Sequence, residues 1–217
     1  MDMVFGICGI LSGVIMASGD LLLDLKGRED REIGKYGLLH SAWSHMEEKR
    51  FRGSILLAMV GTPMQLLGHL AMAHRLSLAS PVYGRVFFLT SLLGLCGAFF
   101  IHTLLCLFPI LYKYLEPGHT VEQIDELIHK IYDAVKLPFW IQYFCLVALP
   151  GFLIMGAIFS GLLPISRWYC LLTAPVMTVF GLLLRKWKPR VFYDLPGIVM
   201  PSLGVGCVGL LAVISML

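Results

Sequence analysis

Residues 86–112 read VFFLTSLLGLCGAFFIHTLLCLFPILY, a predominantly apolar run without Asp, Glu, Lys or Arg. A helix needs about 20 apolar residues to cross the hydrocarbon core of a bilayer, so this run is long enough to span a membrane. Comparable apolar stretches lie on both sides of it. The sequence therefore predicts an all-α membrane protein with one domain over residues 1–217. Its six transmembrane helices are expected at about 3–25, 54–74, 86–112, 138–163, 168–184 and 195–216.

The composition excludes a water-soluble globular protein. Hydrophobic residues make up 58% of the chain and charged residues only 14%, with a mean hydropathy of +0.80. Soluble domains carry about 25% charged residues, so lipid has to cover part of this surface. The net charge of +3 is small and gives no support to nucleic-acid binding. The six cysteines all lie in apolar stretches without a CxxC pair, which favours buried thiols over a disulfide or a thiolate metal site.

The basic residues are divided unequally between the two ends of the predicted bundle. Of the 17 Lys and Arg residues, only Arg75, Arg85 and Arg167 fall in the turns at one end. Loops rich in Lys and Arg stay in the cytoplasm. We therefore expect a multi-pass protein of the cell membrane, with both termini on the non-cytoplasmic side and a first span that is not cleaved as a signal peptide. The loops expected in the cytoplasm are 26–52, 113–137 and 185–194.

Two of these loops carry amphipathic stretches. Within 36–51, apolar residues recur at helical spacing around Trp43, which predicts a short helix in the headgroup region. Residues Thr120 to Gln123 fit a capping box, and an apolar stripe follows over 121–135. We interpret both segments as short cytoplasmic surface helices that cover the end of the bundle.

The first span indicates which of its faces points into the bundle. Small residues recur at steps of three and four from Gly6 to Ala17, a pattern that lets helices approach closely in lipid. Asp20 and Asp24 continue this stripe one turn apart, so both carboxylates are expected to point inward. Other spans carry polar side chains at similar depths. The set interpreted as a ligand-binding layer is Asp20, Gln65, His102, Gln142, Thr178 and Ser202, with His69 slightly further from the cytoplasm.

Basic residues that mark the membrane boundary give the depth of two members of this layer. At about 1.5 Å per residue, Asp20 lies roughly 9 Å below the boundary set by Lys26, and His102 roughly 16 Å below the boundary set by Lys113. Carboxylates and imidazoles inside spans are costly, and they are usually functional or paired.

Several kinds of chemistry stay open for these ionisable residues. Asp20, Asp24 and His102 combine ligand types that suit a metal ion such as zinc, although their spacing matches no known motif. His69 and His102 are of the ligand type that holds a haem, and together with Asp20 they resemble the rungs of a proton or ion relay. The plain alternative is that Asp20 bonds Gln142 or His102 and only fixes helix register. The sequence identifies no cofactor, since P-loop, GxGxxG and GxSxG motifs are absent.

Arg50 and Arg52 stand at the expected cytoplasmic mouth of the polar layer. They are candidates for pairing with Asp24 or for binding anionic lipid headgroups. The partners expected from the sequence are the lipid bilayer and a small-molecule or lipid ligand, and a homo-oligomer is left open.

Three short motifs stand out: Gly19–Asp24 (GDLLLD), Trp43 with the later Arg50-Phe51, and Phe100-Ile101-His102 followed by Pro109 and Lys113. With them, most of the chain resembles a group of uncharacterised bacterial six-span integral membrane proteins. The resemblance implies a six-span fold and no assigned activity. The full Ser, Asp and multi-His set of the ceramidase-like membrane hydrolases is not matched, which argues against a zinc amidase.

The leading functional hypothesis is a small-molecule or ion transporter, or a ligand-binding membrane protein, with a polar pocket open to the cytoplasm. In it Asp20 is the proton- or cation-responsive carboxylate, His102 is its titrating partner, and Gln65 and Gln142 orient the ligand. One alternative is an intramembrane enzyme that acts on a lipid, with Asp20, Asp24 and His102 as acid–base or metal groups. The other is a membrane assembly or partner protein without chemistry.

Overall fold

The structure, a computed structural model, describes residues 1–192 and 194–217 of the chain, without the side chains of Pro189 and Arg190. It is built almost entirely of helices. Their bounds are α1 Asp2–Asp24, α2 Glu48–Ala79, α3 Pro81–Leu115, α4 Val121–Tyr143, α5 Leu149–Phe159, α6 Ala174–Trp187, α7 Pro189–Phe192 and α8 Leu195–Ile214.

Five helical segments are long and apolar enough to cross a membrane, which fits an integral membrane protein. They are α1, α2, α3, the continuous segment Val121–Phe159 and α8. The span predicted at 168–184 differs, because it consists of a 3-10 helix, Arg167–Leu172, followed by the 14 residues of α6. Thr173 between them is extended, and Pro175 in the first turn of α6 has no N–H to continue a helix from the preceding residues.

The prediction of a separate surface helix at 121–135 is wrong, because α4 continues through a π-helical turn, Phe144–Ala148, into α5. Pro150 follows this turn and lacks the N–H of a regular helical hydrogen bond, which favours such an irregularity. The start of α4 is confirmed as a capping box. Thr120 Oγ1 accepts from the Gln123 N–H, and the Gln123 side chain accepts from the Thr120 N–H.

The predicted surface helix within 36–51 is also wrong. Strands β1 Glu32–Ile33 and β2 Leu39–His40 form an antiparallel hairpin there, and a 3-10 turn, Ser41–Ser44, leads toward α2. Gly34 and Gly37 have φ of +81° and +66°, a left-handed conformation that ends any helix and suits glycine. Trp43 is therefore buried under the hairpin, not placed at a lipid interface.

The core of the bundle is a close packing of α1 between α2 and α8. A Cβ added at Gly9 would lie 2.7 Å from Gly68 Cα and 2.9 Å from Gly209 Cα, so three helices meet there almost backbone to backbone. The small-residue stripe of α1 is therefore a packing face, as predicted. It is continued by Gly13 against Gly206 of α8.

Both termini lie at the same end of the bundle. Gly6 of α1 packs against Val213 of α8, and the Arg75 side chain at the end of α2 donates to the Ser215 carbonyl oxygen at 2.5 Å. The opposite end, which carries the hairpin together with Lys26 and Arg185, is the basic end.

Candidate functional site

A cavity of about 890 Å³ runs into the bundle from the basic end. Its volume lies within the range of about 300–1,000 Å³ that is usual for small-molecule sites. Its walls come from α1, α2, α3, α4 with the π-helical turn, and α8. The polar side chains along the inner part of this wall are Asp20, Gln65, His102, Gln142 and Ser202.

Asp20 and His102 meet inside this cavity. The Asp20 Oδ1 and His102 Nδ1 atoms are 3.5 Å apart, and the two side chains are only 19% and 10% exposed. Ser202 Oγ of α8 lies 2.5 Å from Asp20 Oδ2 and donates to it when the carboxylate is ionised. The carboxyl group therefore ties α1 to both α3 and α8.

Ser54 fixes the tautomer of His102. The Ser54 Oγ–H has one proton, and it donates that proton to the Gly19 carbonyl oxygen at 2.8 Å, since a carbonyl oxygen can only accept. Ser54 Oγ must then accept the 2.8 Å hydrogen bond from His102 Nε2–H. The imidazole thus presents Nδ1 to Asp20, and a proton placed between the two groups neutralises the carboxylate or charges the ring.

The order Ser54, His102, Asp20 has the connectivity of a hydrolase triad but not the access. The Ser54 side chain is completely buried and does not line the cavity. Its proton points to Gly19 and not to the imidazole. An activated serine needs its proton on the base and its oxygen open to substrate, so Ser54 is a support for His102 and not a nucleophile.

Two glutamines extend the polar wall. Gln65 is 2% exposed, and its side-chain oxygen has no hydrogen-bond partner among the described residues. Gln142 is 8% exposed and rests on Gly97 of α3, where a Cβ would come within 2.7 Å of its Cγ. No hydrogen bond from the Gln142 carboxamide to the described part of the chain is present. A buried amide without a partner is costly, so both carboxamides call for a polar group in the cavity.

His69 and Thr178, two members of the predicted layer, are not cavity-lining residues. His69 Nδ1–H donates to the Gln65 carbonyl oxygen at 2.8 Å, and its ring stacks on Phe87 with centroids 5.9 Å apart. Thr178 Oγ1 donates to the Ala174 carbonyl oxygen of its own helix at 2.7 Å. Both side chains serve helix packing.

The mouth of the cavity is lined by charged pairs that the sequence did not reveal. Lys26 Nζ lies 3.1 Å from Asp24 Oδ1, Arg185 lies 2.7 Å from Asp194, and His40 Nδ1 lies 2.7 Å from Asp30. The side chains of these pairs come from the α1–β1 loop, β2, α6 and the start of α8, which are far apart in the chain. The pairing of Asp24 with Arg50 or Arg52 is therefore wrong, since Lys26 occupies that carboxylate.

Arg50 caps a helix end. Its Nη2 donates to the carbonyl oxygen of Leu25, just after the last residue of α1, at 2.9 Å. It also donates at 3.3 Å to the Leu21 carbonyl oxygen, which accepts from the Leu25 N–H as well. Arg52 is more exposed and pairs with Glu48 of the same helix. A lipid-headgroup contact of these arginines stays a prediction.

The metal and haem interpretations do not fit the arrangement. Within the described residues, no three His, Cys, Asp or Glu side chains converge as a metal ion would need, and the Asp24 carboxylate is paired with Lys26. His69 lies 15 residues beyond Ser54 on α2, about 22 Å along the axis from the level of His102. One haem cannot bridge that separation.

One family model matches the chain over residues 2–217, and its description is a family of unknown function, DUF6796. The chain belongs to DUF6796. No curated protein and no solved structure matches it. For this DUF6796 member, functional inference therefore depends on the cavity itself.

Proposed function

We propose that the protein is a transporter or ligand-binding protein of the cell membrane that holds a small polar group in this cavity. The observation that carries the proposal is the side-chain oxygen of Gln65, which is buried on the cavity wall without a hydrogen-bond partner among the described residues. Gln142, which is 8% exposed, adds a second carboxamide to the same wall. Such a site gains affinity from a ligand that satisfies both groups.

We further propose that ligand binding is linked to protonation of the Asp20–His102 pair. The tautomer set by Ser54 directs Nδ1 of the ring toward the carboxylate, so the pair holds one proton between two basic sites. A cationic ligand group favours release of this proton, which leaves the pair negatively charged, whereas an anionic group favours its retention. This exchange is the elementary step of proton-linked binding or transport.

Binding is favoured over intramembrane hydrolysis by the same contacts. The hydroxyl group bonded to His102 is sealed from the cavity, and Asp24 is held at the mouth by Lys26. A hydrolase of this kind would need a nucleophile beside His102 on the cavity wall, and Ser54 is not on that wall.

The basic end is proposed to face the cytoplasm, with both termini on the other side. The excess of Lys and Arg at this end supports that orientation. In this topology the 3-10 helix Arg167–Leu172 and α6 together form the fifth of six crossings. Epitopes inserted after Gly118 and after Gly161 test it, since only the second should be accessible from outside intact cells.

The ligand proposal is tested by thermal unfolding of the purified full chain in detergent with small amines, carboxylates and zwitterionic amino acids. Gln65→Leu and Gln142→Leu are expected to lose the stabilisation that the wild type gains from a binding compound. Thr90→Val is the matched control and should keep it, because the Thr90 hydroxyl group lies outside the cavity and bonds only carbonyl oxygens of its own helix. If every compound stabilises the glutamine variants as much as the wild type, or none stabilises the wild type, the proposal is wrong.

A further inference from the structure

The cavity has a side opening between α4 and α6. These helices meet near the middle of the bundle, where Val147, Ala174 and Val205 form one apolar cluster against Tyr143. Toward the basic end they take different partners. The α4 side chains Ile124 and Ile128 pack under the hairpin and against α3, whereas α6 stays beside α8, where its Gly181 packs against Met200. Tyr143 of α4 and Thr178 of α6 interact one turn further toward that end, so the result is a wedge whose apex is this pair.

The wedge opens toward lipid and not only toward water. Phe139 and Tyr143 of α4 form one wall, with ring centroids 6.1 Å apart, and both line the cavity. Trp140 and Phe144, on adjacent positions, are 55% and 53% exposed. Large aromatic side chains exposed on an apolar spanning segment mark a surface covered by a bilayer. A molecule that enters between these helices therefore comes from the leaflet at the basic end.

The rim of the wedge carries unpaired charges of both signs. Most rim charges form the pairs Lys26–Asp24, Arg185–Asp194 and His40–Asp30. Two cavity-lining side chains, Arg28 and Glu32, make no ion pair within the described part of the chain. One free cation and one free anion at the same mouth are complementary to a zwitterionic headgroup.

We propose that the cavity takes the headgroup of an amine-bearing zwitterionic phospholipid, of the ethanolamine type, laterally from the leaflet. The phosphate lies at the rim beside Arg28 and the outer face of Arg185, and the acyl chains stay in the bilayer beside Phe139 and Tyr143. The primary ammonium points inward to the Asp20 carboxylate. This inference rests on the proposed binding role of the cavity and names its ligand class.

The chemistry of the inner wall selects a primary amine over a quaternary one. One oxygen of the Asp20 carboxylate accepts from the Ser202 hydroxyl group, and the other faces His102. Both oxygens are acceptors. An ammonium group with N–H donors satisfies such acceptors, whereas a choline group has no N–H to donate.

The test is photo-crosslinking of the full chain in phosphatidylcholine vesicles that contain a minor fraction of a diazirine-bearing phosphatidylethanolamine. A parallel arm uses phosphatidylglycerol with the same photoreactive chain. Peptides that contain Phe139–Tyr143 or Ile198–Ser202 should be labelled by the ethanolamine lipid about tenfold more than by the glycerol lipid, because one charge-assisted contact is worth about that factor.

Gly197→Leu is the blocking variant. A Cβ at Gly197 meets only Arg185 Cδ at 3.7 Å, an ordinary contact, so the added side chain fits and fills the rim of the wedge. Gly118→Leu is the matched control, because a Cβ there has no atom within 4 Å and the residue lies outside the cavity. Ile198→Trp replaces the first variant if that one does not fold. Labelling of the wedge peptides should fall to the phosphatidylglycerol level in the blocking variant and stay unchanged in the control.

Equal labelling by the two lipids, or labelling that Gly197→Leu leaves unchanged, overturns the lipid inference. Soluble phosphoethanolamine separates it from the proposed function. If this free headgroup stabilises the wild type but not Gln142→Leu, and the wedge peptides stay unlabelled, the cavity binds a water-borne ligand. The proposed function then stands without a lipid.

Discussion

His102 Nδ1 lies 3.5 Å from Asp20 Oδ1, so an ionisable pair from α3 and α1 faces the interior of a cavity in the apolar bundle. The relationship depends on a third residue. Ser54 of α2 directs its proton to the Gly19 carbonyl oxygen and thereby holds the His102 ring with Nδ1 toward the carboxyl group. The arrangement joins three helices through one titratable pair. The net charge of this pair differs between the state that holds a proton and the state that has lost it.

Asp20→Asn should remove the pH dependence of ligand binding. The amide cannot exchange a proton with His102, so the two protonation states of the pair are lost while the side-chain shape is kept. Thermal unfolding of the ligand-bound protein across the range on either side of neutral pH measures this, and a flat profile is expected. Asp24→Asn, which affects the pair with Lys26 at the mouth, is the control and should keep the wild-type profile. If the two variants behave alike, the Asp20–His102 pair is not the proton site.

Ser54→Ala should destabilise the fold by about 1–3 kcal/mol, because it leaves His102 Nε2–H without an acceptor in a buried site. The Gly19 carbonyl oxygen also loses its donor. Reversible unfolding in mixed micelles measures the free energy of unfolding. Ser18→Ala is the control, since Ser18 Oγ bonds only the Val14 carbonyl oxygen of its own helix, and its effect should stay within about 0.5 kcal/mol. Similar losses in both variants would contradict the supporting role of Ser54.

Hydropathy and small-residue spacing predicted the helical membrane architecture and the packing face of α1. They failed where local conformation decided the outcome. In the 36–51 stretch, apolar spacing favoured a helix, but Gly37, together with Gly34 just before the stretch, adopts a left-handed conformation and allows a hairpin. The Lys35 and Tyr36 N–H groups of this hairpin donate to Asp125, which lies 90 and 89 positions further along the chain. A partner that distant in the chain cannot be read from a local pattern.

The relative depth of two residues of the candidate site was predicted wrongly. Counting from basic residues placed His102 roughly 7 Å deeper than Asp20, whereas the two side chains lie side by side. Lys113 is the cause, because its Nζ donates to the Ser44 and Met46 carbonyl oxygens of the loop above the membrane boundary. A basic residue that is bound inside a loop no longer marks the membrane boundary.

Arg50→Ala should destabilise the protein by about 1.5–3 kcal/mol, the value of hydrogen bonds from a charged donor. Its guanidinium donates to the Leu25 carbonyl oxygen at the end of α1 and is a second donor to the Leu21 carbonyl oxygen, and alanine removes both contacts. Hydrogen exchange over residues 21–30 should increase at the same time. Arg52→Ala is the matched control, because its contact is a pair with Glu48 on an exposed helix face, and little change is expected. A larger effect from Arg52 would indicate that lipid contacts outweigh the helix cap.

Gly9→Ala should destabilise the bundle by about 1–3 kcal/mol through overpacking. The added methyl group would lie 2.7 Å from Gly68 Cα and 2.9 Å from Gly209 Cα, and backbone atoms cannot move aside as a side chain does. The same unfolding measurement applies. Gly118→Ala adds a methyl group into open space and should not destabilise. Wild-type stability of the Gly9 variant would mean that α1, α2 and α8 are not in such close contact.

Asp125→Ala should release the hairpin from α4. Asp125 is 1% exposed, and its Oδ2 accepts from the Lys35 N–H at 2.6 Å and the Tyr36 N–H at 3.0 Å, so it anchors the turn between β1 and β2. Without it these backbone groups lose their acceptor, and the exposed Lys35 becomes a good site for trypsin. Cleavage after Lys35 should be faster than in the wild type by about tenfold, if the lost contact is worth about 1.4 kcal/mol of local opening.

Asp133→Ala, on an exposed position of the same helix, should be cut at the wild-type rate. Since the α1–β1 loop also carries Arg28 and Glu32 of the cavity mouth, slow cleavage in both variants would mean that the mouth is held by other contacts.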